Sequence, residues 1–473
     1  WRLPVAVAIF IILFDLFWLF KTIYLFILLR ATFKTTRKNM KIAWLEKCRE
    51  LRDRNFEEIY HLVILPMHKE SSGVVLDTFI KLKEINYPKE KLIVVLSVEE
   101  GGGTVAKETA EMIEKKFKSN FFKFLVTFHP LGLPGEIPGK GSNSTWAAKQ
   151  SKEKIIDPLG IPYEKILVSV FDIDSQVGPD YFGRLTYVFL TTKKADRASY
   201  QPVPFFTNNI FQASAFSRLM AFSTSFWQMM QQSRPENMIT FSSHSMPFKA
   251  LTEIGFWHKD IVSEDSRIFW QCYVHYRGDW RVEPLFYPIY MDANVAPTFR
   301  QTILNIYKQQ RRWAWGAENI AYIITSFIKH RDIPKKLYWS FYTLESFYSW
   351  ATTSIIVLIL GWLPIFLGGA YFKYTVLSFN LPALTGFIMQ ITSIGIITCA
   401  LLSAVLLPPK PEWFKIRHYF IYIFEWMLMP LVLIFLGSFP AIEAQTRLML
   451  GDKFRLGFWV TPKTRLMPNK ISD

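Results

Sequence analysis

Residues 166–174 read Ile-Leu-Val-Ser-Val-Phe-Asp-Ile-Asp, a short apolar run that ends in two aspartates separated by one residue. Similar apolar runs occupy Leu62 to Leu65 and Leu92 to Leu96, and polar, helix-like stretches lie between them. Short apolar runs that alternate with helical patterns are typical of βαβ units. The sequence therefore predicts a soluble, Rossmann-like α/β domain from residue 59 to about residue 317.

Acidic residues follow each of the three predicted strands. Glu70 comes after the first strand, Glu99 after the second, and Asp172 and Asp174 after the third. In an open α/β sheet the ligand lies at the carboxyl ends of the strands, so we expect these loops to converge on one crevice. Carboxylate oxygens suit a Mg2+ or Mn2+ ion that bridges a diphosphate, and Asp172 and Asp174 fit that role. Alone, an Asp-x-Asp pattern is more typical of a solvated turn than of a metal site.

The composition indicates a membrane protein. Hydrophobic residues make up 50% of the 473 residues, against 20% charged residues and a net charge of +16. Four apolar segments are long enough to span about 30 Å of hydrocarbon as helices. They are Val5 to Leu29, Tyr342 to Leu367, Leu381 to Leu407 and Tyr419 to Ile442. The three cysteines are far apart and lack paired spacing, so neither a disulfide framework nor a structural zinc site is expected.

Charge and hydropathy together predict the order of the domains. The predicted segments are a transmembrane helix at 1–30, a basic cytoplasmic linker at 31–58, the catalytic domain at 59–317, an interfacial amphipathic helix at 318–336, about three transmembrane helices at 337–445 and a basic tail at 446–473. The basic linker places the following domain in the cytoplasm by the positive-inside rule. No aromatic stacking pattern accompanies these basic residues, so nucleic-acid binding is not expected. Four complete spans would leave the tail outside, against the same rule, which makes Tyr419 to Ile442, with Pro430 and Pro440, a candidate re-entrant segment.

Two further motifs lie downstream. Ser263-Glu264-Asp265 precedes a predicted amphipathic helix, and Gln309-Gln310-Arg311-Arg312-Trp313 comes shortly before the predicted interfacial helix. Adjacent arginines are suited to grip a pyrophosphate, and a planar indole is suited to stack on a sugar ring. Each motif alone has a simpler interpretation. The acidic pair would favour a helix dipole, and the Arg-Trp cluster would anchor an interfacial helix.

Taken in order, the motifs resemble those of the family-2 glycosyltransferases that include cellulose, chitin and hyaluronan synthases. The resemblance covers about Leu62 to Ile328 and the flanking spans. It implies a GT-A-type catalytic domain joined to transmembrane helices and a metal-dependent, inverting transfer of a hexose. The donor would be a nucleotide-sugar, by resemblance a UDP-sugar, and the acceptor a growing polysaccharide that the helices of the protein could translocate. The implied cofactor is Mg2+ or Mn2+.

The resemblance also assigns roles to individual residues. Glu264 and Asp265 would be catalytic, with Asp265 as the base, and Asp174 would bind the metal. Residues implied to bind the nucleotide-sugar are Glu70, Glu99, Lys140, Asp172, Asp174, Gln309 and Arg312. Residues implied to bind the acceptor are Trp313, Ser243 and His244. For His244 a structural, hydrogen-bonded role is an equal alternative.

The chain departs from the family pattern at three places: Ser263 replaces the usual threonine, His244 is unusual in the acceptor loop, and the end of the second strand differs. The second strand normally ends in an aspartate pair that contacts the nucleotide base, whereas this chain has Glu99 and Glu100 followed by three glycines. The identity of the nucleotide is therefore open. We further expect an integral membrane protein of the plasma or inner membrane, with its catalytic domain in the cytoplasm. Its expected partners are a nucleotide-sugar, a glycan and the lipid bilayer.

Two other functions stay open from the sequence. The first is a one-step transferase that places a sugar on a polyprenyl phosphate. The second is a transporter or scaffold whose soluble domain only binds nucleotide, suggested by Asp15, Lys21 and Glu425 inside apolar spans. Three spaced acidic motifs are more than nucleotide binding alone requires, which favours the transferase.

Overall fold

The structure is a computed structural model that describes residues 3–358, 363–457, 459–462 and 465. Parts of the predicted second span and of the basic tail lie outside the described residues. The strands are β1 (Tyr60–Met67), β2 (Leu92–Glu99), β3 (Lys123–His129), β4 (Ile166–Val170), β5 (Gln176–Val177), β6 (Ala198–Phe205), β7 (His244–Pro247) and β8 (Arg281–Tyr290).

Helices precede, separate and follow these strands. Those up to the last strand are α1 (Pro4–Asn39), α2 (Trp44–Arg49), α3 (Ser72–Lys83), α4 (Gly103–Phe117), α5 (Lys140–Ser151), α6 (Tyr181–Thr191), α7 (Ala215–Gln232), α8 (Phe248–Glu253) and α9 (Glu264–His275). Those after it are α10 (Phe299–Ala314), α11 (Glu318–Lys329), α12 (Lys336–Leu358), α13 (Leu363–Leu367), α14 (Gly369–Lys373), α15 (Val376–Val405), α16 (Ile416–Phe424), α17 (Met429–Leu431) and α18 (Phe439–Met449).

The strands form one sheet with the order β3-β2-β1-β4-β7-β6-β8-β5. Strands β1 to β4 are parallel to one another, and β7 pairs antiparallel to β4. Every residue of β2 is buried, because helices cover both faces of the sheet and the aliphatic side chains of its Leu-Ile-Val-Val-Leu sequence pack on both sides. This arrangement confirms the predicted Rossmann-like catalytic domain.

The connection order positions the site. The chain leaves β1 towards β2 and β3 on one side and returns to β4 on the other side. The crevice of a doubly wound sheet opens at such a switch point, outside the carboxyl ends of the strands. The loops after β1, β2 and β4 therefore meet at one edge of the sheet.

Helix α1 joins the membrane part to this domain. It has 36 residues and is about 54 Å long, so it extends beyond the hydrocarbon and includes the first part of the predicted linker. Its early residue Ala8 packs with Phe372 and Leu381, whereas Leu29 packs in a cluster with Ala400 near the catalytic domain. The polypeptide then continues into α2, which packs on the α/β core through Trp44.

Three described helical stretches are long and apolar enough to cross a membrane, namely Pro4–Asn39, Val376–Val405 and Ile416–Met449. The third is broken into α16, α17 and α18 by irregular turns around its prolines. It binds the catalytic domain near both ends: Glu425 accepts a hydrogen bond from Arg218 at 2.8 Å, and Glu443 accepts one from Arg311 at 2.6 Å.

Candidate active site

A cavity of about 940 Å³ lies at the carboxyl ends of β1, β2 and β4 and reaches the membrane helices. It brings together ten of the twelve side chains that the sequence singled out. Those on its wall are Glu70, Glu99, Lys140, Asp172, Asp174, Glu264, Asp265, Gln309, Arg312 and Trp313. Ser243 and His244 do not line it. Residues separated by up to 243 positions in the chain thus share one space.

Lys140, at the start of α5, is the cation at the centre of the cavity. Its Nζ donates to Asp172 Oδ1 at 2.6 Å and to the carbonyl oxygen of Ser242 at 3.0 Å. Burial opposes the charge, but the carboxylates of Asp172, Glu264 and Asp265 outweigh burial and raise the pKa of Lys140. The side chain is therefore held as an ammonium ion where a phosphate would approach.

Ser242 connects the two acidic motifs. Its Oγ donates to Asp172 Oδ2 at 2.7 Å, and its backbone N–H donates to Asp265 Oδ2 at 2.8 Å. Its φ of 46° lies in the left-handed region, which costs a non-glycine residue about 1–3 kcal/mol. This backbone conformation accompanies the contacts of Ser242 with both carboxylates and with Lys140. The resemblance implied the next two residues, Ser243 and His244, and not Ser242.

Those next two residues, Ser243 and His244, are buried beside the sheet, away from the cavity wall. Val170 of β4 pairs with His244, which begins β7, and only 2% of the His244 surface is exposed. Burial, with Lys140 nearby, lowers the pKa of His244 to about 3, so the ring is neutral. This geometry supports the structural alternative for His244 rather than acceptor contact, because β7 draws the residue into the sheet. Ser243, just before β7, does not line the cavity either, and its Oγ accepts the backbone N–H of Asp172 at 3.3 Å.

Asp174 occupies the floor of the cavity and is fully buried. Its Oδ2 accepts the backbone N–H of Asp292 at 2.9 Å, and Asn208 donates to its carbonyl oxygen at 3.1 Å. Asp292, just past β8, is bound in turn by Arg465 of the tail, whose Nε and Nη2 donate at 3.0 and 2.8 Å. Sequence reasoning missed this aspartate, although it also follows a strand.

Glu264 and Asp265 begin α9 and face the same space with different surroundings. Asp265 accepts the backbone N–H of Ser242 and that of Ser266, each at 2.8 Å. Glu264 is buried, and this burial, together with the charge of Asp265, raises its pKa to about 8. At neutral pH Glu264 is therefore mostly protonated. Asp265 is the carboxylate of the pair whose two oxygens both accept backbone hydrogen bonds.

Helix α10 divides its two adjacent arginines between two surfaces. Arg312 lines the cavity, whereas Arg311 forms an ion pair with Glu443 of α18. The ion pair with Glu443 holds Arg311 on the side of α10 that faces α18, and Arg311 does not line the cavity. The expectation that both arginines grip a pyrophosphate is corrected to Arg312 alone. Trp313 lies on the cavity wall and packs against Phe241, with ring centroids 5.7 Å apart.

A chain of charged groups lies behind Glu99 at the end of β2. Glu99 Oε2 is 2.9 Å from Nδ1 of His129, and the Nε2 atom of that ring is 2.9 Å from Oε2 of Glu136. Lys259 donates to the other oxygen of Glu136. Neither His129 nor Glu136 was selected from the sequence. His129 is a single histidine at the end of β3, and no motif in the sequence connects it with Glu99 or Glu136.

The membrane end of the cavity is lined by α1 and α12. Lys21 of α1 donates to Glu345 of α12 at 2.7 Å and lies 4.4 Å from the ring of Trp18. Glu425, another of the three charges predicted inside apolar spans, pairs with Arg218. Lys21 and Glu425 each have a partner of opposite charge within the protein, which is typical of a structural ion pair. The argument for a transporter therefore loses two of its three residues.

The acidic floor was tested as a metal site. Within the described ranges, no three His, Cys, Asp or Glu side chains gather as a complete metal site. Asp172 and Asp174 nevertheless line one cavity and offer carboxylate oxygens, the ligands that Mg2+ and Mn2+ prefer. The donor set fits an ion that takes its remaining ligands from a diphosphate.

The family model described as "Glycosyl transferase family group 2" matches residues 167–436. No curated protein sequence matches the chain. Among solved structures, the chain is similar to the mannosyltransferase PcManGT of Pyrobaculum calidifontis, solved in complex with GDP-Man and Mn2+, at 11% identity and a TM-score of 0.43 over 90% of this chain and 98% of that one. It is also similar to TarS 1-349 of S. aureus in complex with UDP-GlcNAc, at 12% identity and a TM-score of 0.37 over 79% of this chain and 90% of that one.

Proposed function

The chain belongs to glycosyl transferase family group 2, and on that premise we propose that it is a membrane-embedded, inverting polysaccharide synthase. We propose a UDP-sugar as donor. The observation that carries the proposal is the continuous cavity, which holds Asp174, Asp265 and Trp313 and continues along α1 and α12. One space can therefore hold the donor, the base and an acceptor chain.

Positive groups of the cavity would bind the diphosphate of the donor. Lys140 is a buried ammonium group, and the guanidinium of Arg312 lies on the same wall. The N-terminus of α5 begins at Lys140 and adds backbone N–H groups and the positive end of a helix dipole. Asp172 and Asp174 would hold a Mg2+ or Mn2+ ion, which supplies further positive charge for the leaving diphosphate.

Asp265 is the proposed base. The hydroxyl oxygen of the acceptor attacks the anomeric carbon while the bond from that carbon to the diphosphate oxygen breaks. The diphosphate leaves with the bonding electron pair, and Asp265 takes the hydroxyl proton. Because attack and departure occur on opposite faces, the anomeric configuration inverts. Glu264, with its pKa near 8, is mostly protonated at neutral pH and is not a competing base.

Trp313 is the proposed platform for the acceptor. Its indole lies on the cavity wall and is fixed by edge packing against Phe241 and by contact with Phe206 at 6.4 Å between ring centroids. A fixed flat ring offers an apolar face to a sugar at little cost in side-chain entropy. The acceptor end would stack there, with its hydroxyl directed towards Asp265.

Beyond Trp313 the growing chain would enter the membrane part of the cavity. Polar side chains of α12, including Ser346, Ser349 and Thr353, line this part opposite α1. Hydroxyl groups can hydrogen-bond to a glycan inside an otherwise apolar bundle. The basic residues that follow the first span place the catalytic domain in the cytoplasm in this proposal.

A polyprenyl-phosphate acceptor fits the membrane end less well. A lipid phosphate would need a cation there; of the two that line this end, Lys21 already forms an ion pair with Glu345 at 2.7 Å, and Arg234 lies between the rings of Tyr24 and Tyr342. The glycan is therefore the favoured acceptor, and a product of one sugar on a lipid would identify the alternative.

The proposal is tested with purified protein in lipid vesicles, supplied with Mn2+ and radiolabelled UDP- or GDP-sugars. Asp265→Asn removes the proton acceptor and keeps the size of the side chain, so we expect transfer to fall by a factor of about 10²–10⁴. Asp260→Asn, at an exposed position shortly before the same helix, is the matched control and should transfer at the wild-type rate. Equal activity of Asp265→Asn and Asp260→Asn would exclude the proposed base.

A further inference from the structure

The start of α9 has a second polar face besides the one that carries the proposed base. Ser266 and Arg267 follow Ser263 at the third and fourth positions, a spacing that places side chains on one face of a helix. Asp265 lines the cavity and lies two positions before Arg267, so these two side chains point to nearly opposite sides of the helix. The second face is therefore available to a neighbouring element.

Helix α11 contacts this second face through its first two residues. Ser263 Oγ donates to Glu318 Oε1 at 2.8 Å. Arg267 Nε donates to Asn319 Oδ1 at 2.6 Å, and Asn319 Nδ2 donates to Ser266 Oγ at 3.0 Å. All three residues on the second face of α9 are thus hydrogen-bonded to consecutive residues of α11.

The amide group of Asn319 has a defined orientation in this contact. Arg267 can only donate hydrogen bonds, so the amide oxygen must face the guanidinium group and the NH2 group must face Ser266. Asn319 is 2% exposed and Arg267 is 8% exposed, and the guanidinium group lies 4.1 Å from the ring of Tyr322, one turn further along α11. Loss of either hydrogen bond would leave a buried polar group without a partner, so the contact holds the two helices in one register.

Ser266 connects this contact to the carboxylate of Asp265. Its backbone N–H donates to Asp265 Oδ1 at 2.8 Å, while its Oγ accepts from Asn319 and donates to the carbonyl oxygen of Ser263 at 3.2 Å. The other oxygen of Asp265 accepts the backbone N–H of Ser242, which belongs to a different segment. A shift of the first turn of α9 would therefore move Asp265 away from Ser242.

Glu318 and Asn319 lie behind the cavity wall. Neither is among the described residues that line the cavity, so any effect on the reaction has to pass through other residues. Helix α11 follows α10 after the short turn Trp315–Ala317, and α10 carries Arg312 and Trp313, the proposed diphosphate and acceptor groups. The hydrogen bonds from α11 to α9 therefore join the polypeptide that would bind the substrates to the helix that carries the base.

We infer that Asn319 and Glu318 are positioning residues that hold the first turn of α9, so that the Asp265 carboxylate stays aligned with an acceptor hydroxyl beside Trp313. The inference rests on the proposed function, in which Asp265 is the base. It goes beyond that function because it gives a helix outside the cavity a role in the transfer step. A displacement of about 1 Å in a reacting group can cost about 10²-fold in rate, so these hydrogen bonds contribute to kcat.

The kinetic test uses the purified full chain in lipid vesicles with Mn2+ and the panel of radiolabelled UDP- and GDP-sugars. Asn319→Ala removes both hydrogen bonds of the amide to α9. We expect kcat to fall about 10- to 100-fold while the KM for the donor is unchanged, because the groups that bind the diphosphate are kept. Thr325→Ala, at an exposed position of the same helix, is the matched control and should keep the wild-type kinetics.

Conservative and double variants separate positioning from folding. Glu318→Gln keeps an oxygen that accepts from Ser263 and should retain most of the wild-type kcat, whereas Glu318→Leu removes it and should lower kcat about tenfold. Ser266→Ala removes the hydroxyl that joins Asn319 to the segment of Asp265. The double variant Ser266→Ala with Asn319→Ala should lose no more activity than Asn319→Ala alone, because both residues act through one chain of hydrogen bonds.

Hydrogen exchange follows the position of Asp265 without any substrate. The backbone N–H of Ser242 is bound to Asp265 Oδ2 at 2.8 Å and reports on that carboxylate. In nanodiscs, exchange of the Ser242 amide should be at least about tenfold faster in Asn319→Ala than in wild type, whereas exchange in β1 and β2 should not change. Thr325→Ala should exchange as wild type does at all of these positions.

The outcomes separate this inference from the proposed function. Faster exchange at Ser242 in Asn319→Ala, with no sugar transfer by wild type from any donor, would refute the synthase and keep the positioning of Asp265. Wild-type transfer with an unchanged kcat in Asn319→Ala, or unchanged exchange at Ser242, would overturn the inference and keep the glycosyltransferase. Faster exchange throughout β1 and β2 would show a general loss of packing and would also overturn the inference.

Discussion

Adjacent carboxylates with different surroundings are the main feature of the site at the scale of residues. Asp265 accepts two backbone hydrogen bonds, whereas Glu264 is buried and mostly protonated at neutral pH. Closely spaced acids whose surroundings separate their titration can take different roles in one reaction. In this account Asp265 accepts the proton, and Glu264 contributes no charge that would repel the diphosphate.

The protonation of Glu264 gives a prediction about stability. Its pKa is 4.5 ordinarily and about 8 in the folded chain. Below pH 4.5 the carboxyl group is protonated in both the folded and the unfolded chain. Between pH 4.5 and pH 8 it is ionised in the unfolded chain alone, so the free energy of unfolding falls by about 1.4 kcal/mol per pH unit. Glu264→Gln should therefore unfold at a higher temperature than wild type, and the difference should grow from pH 5 to pH 8. Thermal unfolding of both proteins measures it.

The control for this prediction is Glu111→Gln, at an exposed position of α4. Its unfolding temperature should follow that of wild type at every pH. Parallel curves for Glu264→Gln and wild type would show that Glu264 ionises normally in the folded chain.

Many of the cavity residues could be predicted because they directly follow predicted strands. Asp172 and Asp174 follow a buried strand, and the carboxyl ends of parallel strands share one edge. Ser242 could not be predicted, because its contacts depend on a left-handed backbone conformation just before β7, which begins at His244. The contacts of His129 could not be predicted, because its partners, Glu99 and Glu136, lie on β2 and in the loop after β3.

At the scale of elements, α7 and the broken stretch Ile416–Met449 are joined by a buried ion pair. Arg218 and Glu425 are each 12% exposed, and the guanidinium of Arg218 lies 4.1 Å from the ring of Tyr422. The apolar texture alone predicted a span here, and its prolines raised the re-entrant alternative. The sequence could not supply the partner of Glu425, since Arg218 lies 207 residues earlier.

This ion pair predicts a large cost when only one partner is removed. Arg218→Met or Glu425→Met leaves one buried charge unpaired and should destabilise the chain by about 3–5 kcal/mol. The double variant removes both charges and should recover most of that loss. Chemical or thermal unfolding in detergent measures all three variants beside wild type.

The exposed pair Arg49–Glu46 is the comparison for this cycle, with 54% and 59% exposure. Its single variants should change stability by no more than about 1 kcal/mol. If the Arg218 and Glu425 variants lose as little as these, the pair does not hold the two elements together.

At the scale of the whole molecule, the tail returns to the catalytic domain. Arg455 donates to the carbonyl oxygen of Asp260, and Arg465 binds Asp292 beside the acidic floor. These contacts hold the described part of the tail against the catalytic domain. Hydropathy predicted four spans, whereas three described helical stretches are long and apolar enough to cross a membrane. The predicted span Tyr342 to Leu367 is not among them, and part of it lies outside the described residues.

The central claim is that the sugar is polymerised at Asp265 and that the product passes along α12. The most direct measurement is the length and anomeric configuration of the glycan made from one UDP-sugar by wild type, Thr353→Trp and Leu344→Trp. Thr353 lines the cavity, whereas Leu344 of the same helix is 51% exposed on the outside. We predict an inverted linkage throughout, with long products from wild type and Leu344→Trp and short products from Thr353→Trp. A single sugar on a lipid, a retained configuration, or equal lengths in all three proteins would contradict the account.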